Sequence, residues 1–297
     1  MRIWATASEM AAKTPPERNR YVDFLRAVSI MVVVIGHWTI ATAWYVDGNL
    51  TPGHLLKSHP QTQWLTWFFQ VMPIFFIVGG YSNAVSLESA KRKGIGYSGW
   101  LAARLHRLVS PLLILLVAWA ATAFAMKLMD TRPAVVQFTS QAALIPTWFL
   151  AIYTMLVLLA PAVYKFWRRF GLASFFFFAA MAAITDAAFF AAEMRWMGWT
   201  NYFWVWLAVQ QLGFAWRDGR IGGVGTRLAI SAVGLITLYL LIRSGPYPLA
   251  MVGSPDKLLS NTLPPKITLL ELGLFQFGLL MAFEVPMRRA LQSLRLW

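Results

Sequence analysis

The chain has 297 residues, 58% hydrophobic and only 13% charged, with a formal net charge of +14 and no cysteine. Soluble domains carry about a quarter charged residues, so an ordinary soluble globule is excluded, and the absent cysteines exclude disulfides, thiolate metal sites and cysteine nucleophiles. The positive charge is clustered between long apolar runs, which points to membrane loops rather than to nucleic-acid binding.

A helix needs roughly 20 apolar residues to cross a hydrocarbon core about 30 Å thick. Residues 1–22 are polar and include Pro15 and Pro16. They lack the short apolar core and small-residue cleavage site of a secretory leader, and read as a cytoplasmic tail. Eight apolar runs follow: Val28–Val46, Trp64–Leu87, Leu108–Met126, Ala142–Tyr164, Phe170–Ala192, Trp196–Trp216, Leu228–Ile242 and Ile267–Phe283. Between the first two lies a loop, Asp47 to Gln63, whose His54 and His59 are too weak a pair to argue a metal site; no metal is expected. The loop Glu88 to Gly99 is basic, and the loop Arg243 to Lys266 holds Pro246, Pro248, Pro255, Pro264 and Pro265.

No strand alternation suggests a barrel, so every backbone group must pair inside a helix. The expected fold is all-α: a polytopic membrane helix bundle of about eight transmembrane helices over residues 23–287. It is flanked by the tail at 1–22 and a basic tail at 288–297. With the N-terminus inside, nineteen of the 26 Lys and Arg fall on the inner side and seven on the outer. Basic residues favour cytoplasmic loops, so both termini are expected in the cytoplasm, with the chain in the plasma membrane and its loops against anionic lipid head groups. No internal repeat argues for an inverted-repeat transporter.

Ionisable groups inside a membrane are costly and are functional candidates by default. His37 lies inside the first run, after Val33-Val34-Ile35-Gly36. Arg26 stands eleven residues before it, which returns to nearly the same helix face about 16 Å away. Asp23 lies one turn before Arg26. A single stripe would thus hold an acid and a guanidinium at the inner mouth and an imidazole deeper in the bilayer, suiting a long ligand with an anionic head. Arg104 and Arg107 are three apart and share a face, and guanidinium groups grip phosphates bidentately. His106 points elsewhere. Gly79 and Gly80, after Pro73, permit close approach by a neighbouring helix or a ligand. Asn83, Asp186, Gln210, Gln211, Glu271 and Gln276 read mainly as interhelical bonds.

These residues resemble a family. Arg20-Tyr21-Val22-Asp23-Phe24-Leu25-Arg26, ten residues and then His37 look like the opening motif of acyltransferase family three, bacterial integral-membrane enzymes dependent on acyl-coenzyme A. Val71-Met72-Pro73-Ile74-Phe75-Phe76-Ile77-Val78-Gly79-Gly80-Tyr81 resembles its second-helix motif. Arg104 and Arg107 before Pro111, and Trp148-Phe149-Leu150 with Tyr153, resemble its third- and fourth-helix signatures. The likeness covers about the first 165 residues. Pro111 follows the second arginine by four residues where three is usual, and Gly79 replaces a common serine. The family's usual ten helices against eight here imply a chain lacking the last two.

The resemblance implies transfer of an acyl group, acetyl in the first instance, from cytoplasmic acyl-coenzyme A to a hydroxyl of a carbohydrate, glycan or lipid-linked acceptor. His37 would be general base or transient acyl carrier, with Asp23 orienting Arg26. Arg26, Arg104, Arg107, Gly79 and Gly80 would bind the donor. Two alternatives remain open: a transporter using His37, Asp186 and Glu271 as a proton relay, and a shortened, inactive family member.

Overall fold

The computed structural model describes residues 9, 18–46, 49–144, 147–253 and 259–293. Most of the tail expected at 1–22 and the last four residues of the tail expected at 288–297 lie outside these. The chain divides into two compact units: unit 1 is 1–81 with 170–297, and unit 2 is 82–169.

Unit 1 opens with α1 (Arg20–Ile40). Asn19 caps it by accepting a hydrogen bond from the Tyr21 amide, and Asp23 in its first turn complements the helix dipole. The apolar run continues to Val46, but the helix stops at Ile40. Ala41–Val46 (β1) instead pairs antiparallel with Asn49–His54 (β2), Ala41 opposite His54 and Val46 opposite Asn49. Thr42, Trp44, Tyr45 and Val46 favour strand. Local propensity thus overrides hydropathy at this end. Helical turns at Leu55–Ser58, Pro60–Leu65 and Thr66–Phe69 lead to α2 (Met72–Arg92), within which the division between units falls.

Unit 2 holds α3 (Tyr97–Leu128), α4 (Pro133–Leu144) and most of α5 (Thr147–Phe170). Its core gathers Ala90, Trp100, Val157 and Ala160, with Leu108 and Tyr153 against them. Along α3 the apolar side chains Leu113, Ile114, Val117 and Phe124 are exposed. Water would penalise such a surface by about 25 cal/mol per Å2, whereas lipid does not.

The rest of unit 1 is α6 (Leu172–Ala191), a 3-10 turn Arg195–Thr200, α7 (Asn201–Arg217), α8 (Val224–Ser244), α9 (Ile267–Ala282) and α10 (Glu284–Ser293). Every residue of α7 from Val205 to Trp216 is buried, Gln210 and Gln211 included, the state of a helix enclosed on all sides. Two glycine crossings bring helices to backbone contact. A side chain at Gly80 of α2 would strike the Gln210 carbonyl of α7, and one at Gly213 would strike the Ile77 carbonyl and the Tyr81 amide. Gly234 of α8 and Gly278 of α9 do the same for that pair.

Among the described residues six helices are long and apolar enough to cross a membrane, or seven if α9 and the start of α10, bent by 55°, form one span. Eight were expected. The run that meets the test in neither count is Trp196–Trp216, which is split between the 3-10 segment and the 17 residues of α7.

Candidate functional site

On α1 the sequence stripe becomes an ion network. Asp23 accepts from Arg18 through both oxygens, at 2.6 Å from Nε and 2.9 Å from Nη2, and lies 3.6 Å from Arg26 Nη1. Arg18, which lies before the helix and outside the Asp23–Arg26–His37 stripe, is therefore the closer partner of Asp23. The cap at Asn19 was the available signal, since it fixes Arg18 just outside the first turn. Around it, Asn19 Nδ2 donates to Tyr81 Oη at 3.2 Å, and Tyr21 Oη donates to the Leu280 carbonyl at 2.8 Å. Trp216 packs against Tyr81 and Tyr21, with ring centroids 4.6 and 6.0 Å away. These contacts hold the first turn of α1 against α2, α7 and α9.

His37 lies in the last turn of α1, not midway along a span, because the helix ends three residues later. Its imidazole is exposed, and Nδ1 lies 2.8 Å from the Val33 carbonyl. A carbonyl can only accept, so Nδ1 carries hydrogen, which leaves Nε2 as the nitrogen that bears the lone pair whenever the ring is neutral. Among the described residues no protein group covers the ring, so Nε2 faces outward from the last turn of a candidate span.

Gly79 and Gly80 are both buried. The close approach at Gly80 is made by α7, a helix neighbour, which fills the space a ligand would need.

In unit 2 the two arginines separate. Arg104 Nη2 donates to the Ser82 carbonyl at 2.8 Å and to Ser86 Oγ at 2.6 Å, and its guanidinium lies 5.9 Å from the Trp100 ring centroid. Trp100 Nε1 also donates to Ser86 Oγ, at 3.0 Å. Arg104 is thus wired into α2, whereas Arg107 is exposed on α3. Helical spacing gave them one face, but side-chain length lets Arg104 turn inward. The exposed group is the one free to meet a ligand from solvent.

The other membrane carboxylates are engaged separately. Glu271 accepts from Thr237 Oγ1 at 2.5 Å. Asp186 accepts from Asn201 Nδ2 at 2.9 Å, Tyr247 Oη at 3.1 Å and the Ile267 amide at 2.8 Å, and lies 3.8 Å from Lys266 Nζ. That Nζ also sits 3.2 Å from the Phe189 ring centroid. Burial pushes the Lys266 ammonium below its ordinary range, against the opposing pull of Asp186. Burial and the Asp186 charge push the Tyr247 hydroxyl up. A carboxylate so fully partnered anchors a loop rather than relaying protons. Among the described residues no cluster of three or more metal-ligating side chains exists.

A family model described as acyltransferase domain, for acyltransferase family three, matches residues 19–296. No curated protein and no solved structure matches the chain.

Proposed function

Because the chain belongs to acyltransferase family three, we propose that this membrane acyltransferase takes an acyl group, acetyl in the first instance, from cytoplasmic acyl-coenzyme A. The acceptor is a hydroxyl of a carbohydrate, glycan or lipid-linked molecule. The observation that carries this reading is α1 itself. It bears the Arg18–Asp23–Arg26 network at one end and, about 16 Å on, an imidazole whose Nε2 is free to take a proton.

Arg26 offers its guanidinium group to the donor's phosphates. Nε2 of His37 accepts the acceptor's hydroxyl proton as its oxygen attacks the thioester carbonyl. The C–S bond of the tetrahedral adduct then breaks, and the proton on Nε2 passes to the departing thiolate. The neutral starting imidazole is the state a general base requires.

Membranes carrying the protein, given radiolabelled acetyl-coenzyme A, are expected to label a hydroxyl-bearing acceptor. General-base removal costs about 10^2–10^4-fold, so His37→Ala should cut that labelling by this factor at unchanged membrane insertion. Full activity in that variant would end the reading. Substrate flux into liposomes without any acyl donor would replace it with transport.

A further inference from the structure

We propose that a cavity of about 570 Å3 in unit 1 binds a lipid with a phosphate head group, the lipid-borne form of the acyl acceptor; this rests on the acyltransferase reading above. Its lining includes Trp64, Trp67, Phe68, Tyr239, Leu249 and Arg243. Four of these six are aromatic, and Arg243 is the single charge.

The walls are built rather than incidental. Trp67 Nε1 donates to the Leu249 carbonyl at 2.9 Å, and the Trp64 and Phe68 rings meet edge to face with centroids 6.0 Å apart. The loop carrying Leu249 is tied down beyond it. Gln70 Nε2 donates to the Met251 carbonyl at 2.9 Å, and the Met251 amide donates to Thr66 Oγ1 at 2.8 Å. Asn261 Nδ2 donates to the carbonyls of Pro248 and Ala250 at 2.7 and 2.9 Å. The Asp186 cluster holds the same loop through Tyr247 and Lys266.

The cavity also adjoins the reacting end of α1. The turns Pro60–Leu65 and Thr66–Phe69 carry Trp64, Trp67 and Phe68 on one side. On the other, Leu65, Thr66 and Phe69 share a crevice with Gly36, Thr39 and Ile40. Gly36 immediately precedes His37, and a methyl there would meet the Phe69 ring at 3.4 Å.

The charge pattern selects the occupant. Arg243 stands exposed in the last turn of a candidate span, and among the described residues no carboxylate lies in ion-pair range of it. Free phosphate would gain nothing from the aromatic walls, and a neutral lipid would gain nothing from the guanidinium. An amphiphile with a hydrocarbon chain and a terminal phosphomonoester satisfies both, and its extra charge and free oxygens set it apart from the phosphodiester of a bulk phospholipid.

The test uses the full protein in nanodiscs without acyl donor, and a polyprenyl phosphate carrying a diazirine in its chain. Crosslinks are expected to concentrate on the segments 64–68 and 239–249. Arg243→Gln should lower them about tenfold, the worth of one charge-assisted hydrogen bond. Leu249→Trp, which fills the cavity from an exposed position, should do the same. Unlabelled polyprenyl phosphate should compete, while polyprenol, inorganic phosphate and phosphatidylglycerol should not. Labelling that merely follows lipid-facing area, such as Leu113–Val117, would overturn the proposal. So would insensitivity to both variants, or equal competition by phosphatidylglycerol or inorganic phosphate. Acyl transfer without this labelling would sink the pocket and spare the acyltransferase; labelling without transfer would do the reverse.

Discussion

Asp23 holds two guanidinium groups at the start of α1, and both pairs are partly solvent-exposed. Exposed pairs contribute at most about 1 kcal/mol. Asp23→Asn should therefore leave the melting temperature nearly unchanged while raising the apparent KM for acyl-coenzyme A, as Arg26 loses its orienting partner. A steady-state titration of donor beside a thermal melt checks both halves. The paired arginines of α3 should part company in the same two measurements. Arg104→Gln removes the bonds to Ser82 and Ser86 and should cost roughly 1–3 kcal/mol of stability. Arg107→Gln should shift the donor KM and leave the melt alone. Sequence spacing put the two on one face but could not reveal this division. Which way a long side chain turns depends on Ser82 and Ser86, residues on another helix. The Asp23–Arg26 relation, by contrast, was legible because it lies within one helix. At Lys266 the sign of the pH dependence follows from burial. Its folded-state value lies below the ordinary 10.5, so the fold carries the full cost of a buried ammonium below that folded value. Stability then rises as pH climbs from there toward 10.5, because the unfolded chain binds more protons over that interval. Melts between about pH 7 and 9.5 should show a rise in the wild type that Lys266→Met flattens. Above that range the raised Tyr247 hydroxyl begins to act in the opposite direction.

Helix ends were the least legible elements. Hydropathy carried the first span to Val46, yet the chain leaves the helix at Ile40, since β-favouring residues found a partner in Asn49–His54. Long apolar stretches were read well: Leu172–Ala191 falls within the run expected at Phe170–Ala192, and Val224–Ser244 encloses Leu228–Ile242. Glycine roles needed the third dimension. Gly80 looked equally suited to a helix or a ligand, and α7 decides it. Gly80→Ala should be costly because its methyl meets backbone, which cannot rotate away; overpacking typically costs about 1–3 kcal/mol. Gly225, in the first turn of α8, has nothing within 4 Å, so Gly225→Ala is the matched control and should melt like wild type.

For the whole molecule, the alternation of basic and apolar segments predicted a membrane bundle, and the helices bear that out with six or seven candidate spans in place of eight. The count differs at α7, which is enclosed by protein and is preceded by a 3-10 segment rather than by further α-helix. Hydropathy alone cannot separate a span from an equally apolar helix at the centre of a bundle. Orientation is a separate matter, and the absence of cysteine makes it simple to measure. With all eight apolar runs crossing, the basic-loop rule predicts that a cysteine at Lys93 is shielded from an impermeant maleimide in intact cells and one at Ser244 is labelled; without a crossing at 196–216 both would be shielded. The reverse pattern would turn the molecule over and move the His37 end of α1 to the cytoplasmic face.

Glu284 joins three helices through one carboxyl group. Oε1 accepts from Trp216 Nε1 at 3.1 Å and pairs with Arg288 at 3.0 Å, while Oε2 lies 3.7 Å from Arg227. The bend after Ala282 therefore behaves as a rivet rather than as a loose end. Trimming the protein at Phe283 to ease purification would strand the Trp216 indole, leave Arg227 only its bonds to the Gly222 and Met281 carbonyls, and loosen the floor on which Tyr21 and the opening turn of the reactive helix rest.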